Sequence, residues 1–245
     1  MVGPFTEIQS QINYFFPPET HPYRALERAI DAAVGSDSVV LDVGCGHGAP
    51  NLQRLKGRAG RLYGIDLVDF DAQSDDMVLL NESISDLKSF ADNSIDLAYS
   101  RSVMEHVADI ENAYKELYRV LRPGGIYVFL TPNRYDYASI IATLVPNRFH
   151  AKVVKLTEGR DEQDTFPIVY ASNTFREIRR LSAANGFRIR RLERLGQYPS
   201  YLRFSRPLFW LGCLYEKALD KVPFLDALKG WIFCTIEKPP LSSGS

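Results

Sequence analysis

Apolar residues recur along this chain in two rhythms. Short runs at residues 38–43, 61–66, 77–80, 95–99 and 126–130, and two further strand-like runs at 187–192 and 231–236, predict strands, most of them nearly all apolar. Between them the spacing changes to three and four. Leu26, Ala29, Ile30, Ala33 and Val34 predict a helix over 21–34 that Gly35 ends, and Leu52 with Leu55 predicts one closing at Gly57. Residues 110–121 predict a helix stopped by the run RPGG, and 174–185 one that runs into Gly186. Strands apolar on both faces, alternating with helices, imply an α/β fold with a doubly wound, mostly parallel sheet of seven strands.

Two long, aromatic-rich stretches, 133–172 and 196–229, fall outside this alternation and are predicted as inserts forming a cap. The expected organisation is a single domain. It has an N-terminal lid and helix at 1–37, a ligand-binding core at 38–132, the first insert at 133–172, a core helix and strand at 173–195, the second insert at 196–229 and a final strand at 230–237. Within the second insert, Leu208, Leu211, Tyr215, Ala218, Leu219 and Val222 predict one apolar helical stripe, with Glu216, Lys217, Asp220 and Lys221 opposite.

Composition narrows the function. The chain has 245 residues and a net charge of -1, which argues against a nucleic-acid partner, since phosphate backbones call for a broad basic surface. Cys45, Cys213 and Cys234 are too few and too widely spaced for a disulfide framework or a zinc site, and the histidines are isolated, so no metal is expected. The N-terminus lacks the basic start and apolar run of a secretory signal, and no window reaches the roughly 18 apolar residues of a membrane span. A cytoplasmic protein is expected, with a candidate peripheral membrane contact through residues 207–222. Seven arginines between 176 and 194 lie just upstream and suggest an anionic surface or a phosphate-bearing lipid; a solvated helix face with a packed cap is the plainer alternative.

The densest chemical signal is LDVGCGHG, residues 41–48. It follows the first strand, where doubly wound sheets bind their ligands. Gly44, Gly46 and Gly48 remove side chains that would keep a ligand from the backbone. A dinucleotide site spaces its glycines G-x-G-x-x-G, whereas here the spacing is G-x-G-x-G with Asp42 just ahead. A carboxylate there repels a pyrophosphate but suits an ammonium. Asp66, ending the second strand, is placed to accept from ribose hydroxyls. One carboxylate for an amine and one for a ribose describe S-adenosylmethionine.

LDVGCGHG with GID, then FADNSIDLAYSRSVMEHV and LYRVLRPGGIYVFLTPNR, resembles the type 11 group of class I S-adenosylmethionine-dependent methyltransferases, with their Rossmann-like fold, over about residues 38–134. The resemblance implies that Asp42, Gly44, Cys45 and Gly46 hold the methionine end, and that Asp66 and Leu67 meet ribose and adenine. It also implies Ser100 and Arg101 at the sulfonium end. The family's aspartate near the adenine amino group is replaced here by NESISDLKSF, where Ser83 and Ile84 are nearest in register and Glu82 and Asp86 are further substitutes.

Methyl transfer from a sulfonium depends chiefly on holding the acceptor in line, so a base is optional. His106, beyond the fourth strand, is the candidate general base for a hydroxyl acceptor; a helix cap or a bond to a backbone carbonyl is the competing reading. Asn133, Arg134, Tyr135, Tyr137 and His150 are the candidate acceptor contacts. TPNR after the fifth strand resembles methyltransferases acting on saccharide-type or quinone-type acceptors. The expected activity is methyl transfer to oxygen of a small-molecule, saccharide-type or lipid-linked acceptor. The alternatives are an NAD(P)-dependent reductase and a non-catalytic cofactor-binding partner protein.

Overall fold

The computed structural model describes residues 12–70, 76–137, 139–140, 166–199, 202 and 205–241. Its elements run α1 (Pro22–Ala33), β1 (Val39–Val43), α2 (Pro50–Gln53), β2 (Arg61–Asp66), β3 (Val78–Asn81), β4 (Ile95–Arg101), α3 (Ile110–Val120), β5 (Leu121–Pro132), α4 (Phe175–Ala184), β6 (Arg188–Leu195), α5 (Arg206–Lys221) and β7 (Trp231–Glu237). The seven strands form one open sheet in the order β3-β2-β1-β4-β5-β7-β6. The pairings β3 to β2, β2 to β1, β1 to β4 and β4 to β5 are parallel. From β1 the chain proceeds to β2 and β3 on one side and to β4 and β5 on the other. The crevice at the carboxyl ends of β1 and β4 is therefore the switch point of the sheet.

Local signals explain most boundaries. Thr174 caps α4, its side chain accepting from the Glu177 amide, and Asp109 caps α3 by accepting from the Asn112 amide. The RPGG run does more than end α3. It is the start of β5, and the register between β4 and β5 slips between Ile95 and Leu97. Gly124 has φ +82°, and a Cβ on Gly125 would lie 3.0 Å or less from the Arg122 and Ile95 carbonyl oxygens, so the motif builds a bulge that only bare backbone accommodates. The helix expected through Leu55 is shorter: α2 ends at Gln53, after which Leu55 and Lys56 donate to carbonyls three residues back.

The chain divides into two compact units. One comprises Leu26–Thr131, Phe166–Glu193 and Phe233–Ser245; the other comprises Met1–Ala25, Pro132–Thr165 and Arg194–Ile232. The first contains β1 to β4, most of β5 and the switch-point crevice. The second contains α5 and most of both predicted inserts.

In the second unit, α5 buries Phe209, Gly212, Cys213, Glu216 and Leu219. This is not the expected stripe. Leu208, Leu211 and Leu214 are exposed, and Glu216, expected outside, is only 2% exposed. Phe209 and Cys213 form a small core with Ile12, flanked by Phe16 and Tyr198. Gly212 admits close approach, since a Cβ there would lie 2.7 Å from Pro199. The helix is turned toward Gly212 and Cys213, and Leu208, Leu211 and Leu214 face out.

The arginine-rich stretch is largely ion-paired within the fold. Arg188 and Arg190 both bond the carboxylate of Glu237, and Arg180 pairs with Glu111 at 2.8 Å. Arg191 pairs with Glu193 and lies over the Phe233 ring, and Arg194 pairs with Asp226 at 3.0 Å. Five of the seven guanidinium groups thus have carboxylate partners within the fold, which weakens the reading of an anion-receiving surface. Among the described residues no helix is long and apolar enough to cross a membrane.

Candidate functional site

The turn after β1 is held by the end of β2. The amides of Gly44 and Cys45 donate to the Ile65 carbonyl at 2.8 and 3.1 Å. The amides of Gly46 and Leu67 each donate to one Asp66 carboxylate oxygen at 2.7 Å. Asp66 is thereby fixed beside the glycine turn, and both its oxygens keep lone pairs to accept more. Leu67 stands next to it with its side chain 56% exposed.

Gly44 and Gly46 both adopt left-handed φ, +73° and +71°, yet serve different ends. A Cβ at Gly44 would lie 2.2 Å from Val103 Cγ2, whereas one at Gly46 would meet nothing within 4 Å. Gly44 is bare because Val103 packs on it. Gly46 is bare beside open space. Cys45 points inward: it is buried, a Cβ on Gly64 would lie 2.7 Å from its sulfur, and burial with Asp42 and Asp66 nearby pushes its thiol up to about 12. Only its backbone faces the turn, and it is no nucleophile.

Asp42 comes from strand register. It pairs with Gly64 on β2 and with Tyr99 on β4, so it is 1% exposed beneath the turn. Burial pushes its carboxyl up to about 8; Asp66 adds to the shift, while Tyr99 and Arg101 oppose it. Its Oδ2 has no hydrogen-bond partner among the described residues. A buried acid with an unused oxygen beside an open, bare-backbone turn is built for a cationic group.

The other cofactor candidates divide. Ser100 turns into the core, where its hydroxyl meets that of Tyr127 at 2.5 Å, and Tyr127 in turn bonds Met104 sulfur. Arg101 remains at the end of β4, within electrostatic reach of Asp42. Ser83 accepts from the Ser85 amide in a local turn, and Ile84 is buried. Beside them, Glu82 is 8% exposed, with one oxygen bonded by Ser89 and Oε2 without a partner among the described residues. The sequence offered Glu82 only as a substitute; its unused oxygen is visible only in three dimensions.

His106 donates from Nδ1 to the Pro167 carbonyl, 3.1 Å away, and its Nε2 lies 3.9 Å from Glu105 Oε1. The carbonyl assigns the proton to Nδ1, which leaves the ring's lone pair on Nε2. Glu105, not singled out from sequence, is 4% exposed; burial pushes it up to about 7, offset by hydrogen bonds to its carboxylate, including one from Thr131 at 3.0 Å. Asn173 in turn donates to Thr131 at 2.8 Å. The amides of Val169 and Tyr170 donate to the Glu105 carbonyl, so the apolar side chains of Phe166, Ile168 and Val169, all at least 39% exposed, belong to the segment that borders this pair.

In the other unit, Asn133 does not present itself to an acceptor. It is fully buried, its Nδ2 donates to the Ala227 and Lys229 carbonyls at 2.8 Å, and its Oδ1 accepts from the Tyr135 amide. It organises a turn. Arg134 and Tyr135 are exposed, and Tyr137 packs edge-on against Tyr215 at 5.6 Å. His150 lies outside the described residues. Among the described residues no group of three metal-ligating side chains occurs.

The sheet is doubly wound, and its first crossover is a carboxylate-flanked turn of bare backbone. Residues 41–129 match the family described as a methyltransferase domain, the segment that carries this turn, Asp66 and the Glu105–His106 pair. The chain is 34% identical to a sterol 24-C-methyltransferase of Aspergillus fumigatus over 110 residues, 40% of this chain and 29% of that protein. It is 25% identical to the 24-methylenesterol C-methyltransferase 2 of Arabidopsis thaliana over 80% of this chain and 56% of that one. Each match thus spans little more than half of the curated relative or less. The geranyl diphosphate C-methyltransferase of Streptomyces coelicolor A3(2) superposes with a TM-score of 0.57 at 17% identity, covering 88% of this chain and 78% of that one, which shows the shared fold.

The residues present fit S-adenosylmethionine. The orphaned oxygen of Asp42 suits its ammonium, the space beside Gly46 its amino-acid end, the spare lone pairs of Asp66 its ribose and the open face of Leu67 its adenine.

Proposed function

We propose that this chain transfers a methyl group from S-adenosylmethionine to a carbon of an apolar, lipid-type acceptor. The observation that carries this reading is the pairing of a buried acid, Glu105, with the exposed apolar run Phe166, Ile168 and Val169. The cofactor, held by Asp42, the Gly46 turn and Asp66, supplies an electrophilic methyl with a neutral leaving group. What the chain must add depends on the acceptor. An unsaturated carbon that takes up a methyl must afterwards shed a proton, and a carboxylate whose own proton affinity is raised to near neutral accepts it most readily. Glu105 fills that role, with Thr131 orienting its carboxylate. The relatives named as sterol and geranyl diphosphate C-methyltransferases support a carbon over an oxygen acceptor.

Transfer to oxygen is the second reading, favoured by one observation. His106, anchored through Nδ1 and bordered by Glu105, leaves Nε2 available to deprotonate a hydroxyl. Incubation with methyl-labelled S-adenosylmethionine and matched pairs of isoprenoid alcohols, unsaturated and saturated, separates the two. Label entering only the unsaturated member supports carbon transfer. Label entering both equally, as an ether, overturns it. On the carbon reading Glu105→Gln lowers turnover by about a hundredfold or more with little change in cofactor affinity.

A further inference from the structure

The face that α5 presents outward is unusual for a globular protein. Leu208, Leu211 and Leu214 recur every three residues with 41%, 61% and 68% exposure, and Trp210 is 38% exposed beside them. The N-terminal segment extends this surface: Phe15 meets Trp210 edge-on at 5.5 Å, Tyr14 meets Phe15 at 5.1 Å, and Tyr14 is 80% exposed. Phe224, just past the helix, is 82% exposed. Clustered exposure of large apolar side chains on this scale marks an interaction surface.

Charge selects the partner. Arg206, Lys217 and Lys221 lie on the outward side of the same helix. Lys217 sits over the Phe16 ring and donates to the Phe15 carbonyl at 2.7 Å, so its cation is fixed at the border of the aromatic cluster. The helix's acids are elsewhere. Glu216 occupies the middle of the buried face, and Asp220, at the edge, pairs with Lys229 at 3.6 Å. An outward face of leucines with Trp and Tyr, beside which α5 carries Arg206, Lys217 and Lys221 while its acids are buried or ion-paired, matches the interface between the acyl chains and headgroups of an anionic bilayer. A protein partner or a second copy of this chain would be met by acids as well as bases on a typical interface rim.

We propose that the outward face of α5, with Tyr14, Phe15 and Trp210, docks this protein on the surface of anionic membranes without spanning them. Leu208 and Leu211 belong to the stripe read from sequence and Leu214 does not; the helix is turned to bury Glu216 and Leu219, which leaves these three leucines outside. The inference stands apart from the choice of methyl acceptor, since it uses none of the residues around Asp42 or Glu105.

Full-length protein mixed with phosphatidylcholine vesicles, with and without phosphatidylglycerol, tests this by co-sedimentation and by tryptophan emission. The expected result is binding to the anionic vesicles, weaker at high salt, with a blue shift from Trp210, Trp231 being already buried. The double variant Leu211→Ser with Leu214→Ser, at exposed positions, is expected to fold normally by circular dichroism and to lose at least tenfold in binding. Lys221→Ala is expected to lose about fivefold on anionic vesicles only. Failure of the wild-type protein to bind anionic vesicles at low salt overturns the proposal. So does unchanged binding by the leucine double variant, or a dimer in light scattering that the same substitutions dissociate.

Discussion

Asp42 shows how a single residue couples binding to protons. Its carboxyl, pushed up to about 8 by burial, is mostly protonated at neutral pH in the free protein. A cation beside it favours the ionised form, so binding S-adenosylmethionine releases a proton below pH 8. Affinity is expected to rise with pH from about 6 to 8 and then level off. Calorimetry in buffers of different ionisation enthalpy should detect the released proton, and Asp42→Asn should abolish both the release and the pH dependence. Equal release from the variant would move the effect away from this carboxylate. The two glycines beside it predict opposite phenotypes. Gly46→Val places a side chain in the open space beside the turn and is expected to cost cofactor affinity on the order of a hundredfold while the protein still folds. Gly44→Ala drives a methyl into Val103 and is expected to destabilise the fold by about 2 kcal/mol or more, visible as a lowered melting temperature.

At the scale of elements, legibility followed how closely sequence distance tracks spatial distance. The central strands were readable because a sheet covered on both faces demands apolar runs, and β1, β2 and β4 fell within two residues of their expected bounds, whereas β6 at the sheet edge buries no residue. The glycine turn was readable for the same reason: its residues are contiguous. Glu105 was not, because its burial depends on Thr131 and Asn173 arriving from other segments. Asn133 looked like an acceptor contact because it is polar and follows a strand, but its role is set by carbonyls of residues 227 and 229, nearly a hundred positions away. The rotation of α5 was hidden by composition, since periodicity ranks leucine above glycine and glutamate, whereas packing chose the small Gly212 and Cys213 to approach Pro199 and Ile12. That choice carries a cost at Glu216, which burial, Asp136 and Asp220 push up to about 8. Replacing it with its neutral isostere tests the cost directly. Glu216→Gln is expected to leave stability near that of the wild type at pH 5 and to raise the melting temperature above pH 8.

At the scale of the whole molecule, three buried acids act together. Asp42 and Glu216 are raised to about 8 and Glu105 to about 7, against values near 4 in the unfolded chain. Between those limits the folded protein holds protons that the unfolded chain has lost, so stability falls as pH rises. Full stability from these groups is present below pH 4, is lost progressively up to about 8, and changes no further above that. Acids held down by arginines, such as Asp31 and Glu237, have the opposite linkage and lose their contribution only in more acidic solution. The net expectation is greatest stability in mildly acidic solution and a decline of up to about 1.4 kcal/mol per pH unit for each raised acid between pH 5 and 7. Saturating S-adenosylhomocysteine, which keeps the ammonium, should remove the share belonging to Asp42 while leaving those of Glu105 and Glu216. Denaturant titrations at a series of pH values, with and without it, read the difference as a shallower slope. Parallel slopes in the two series would mean that the ligand's cation does not reach Asp42, and the assignment of the turn to the amino-acid end would fail with it.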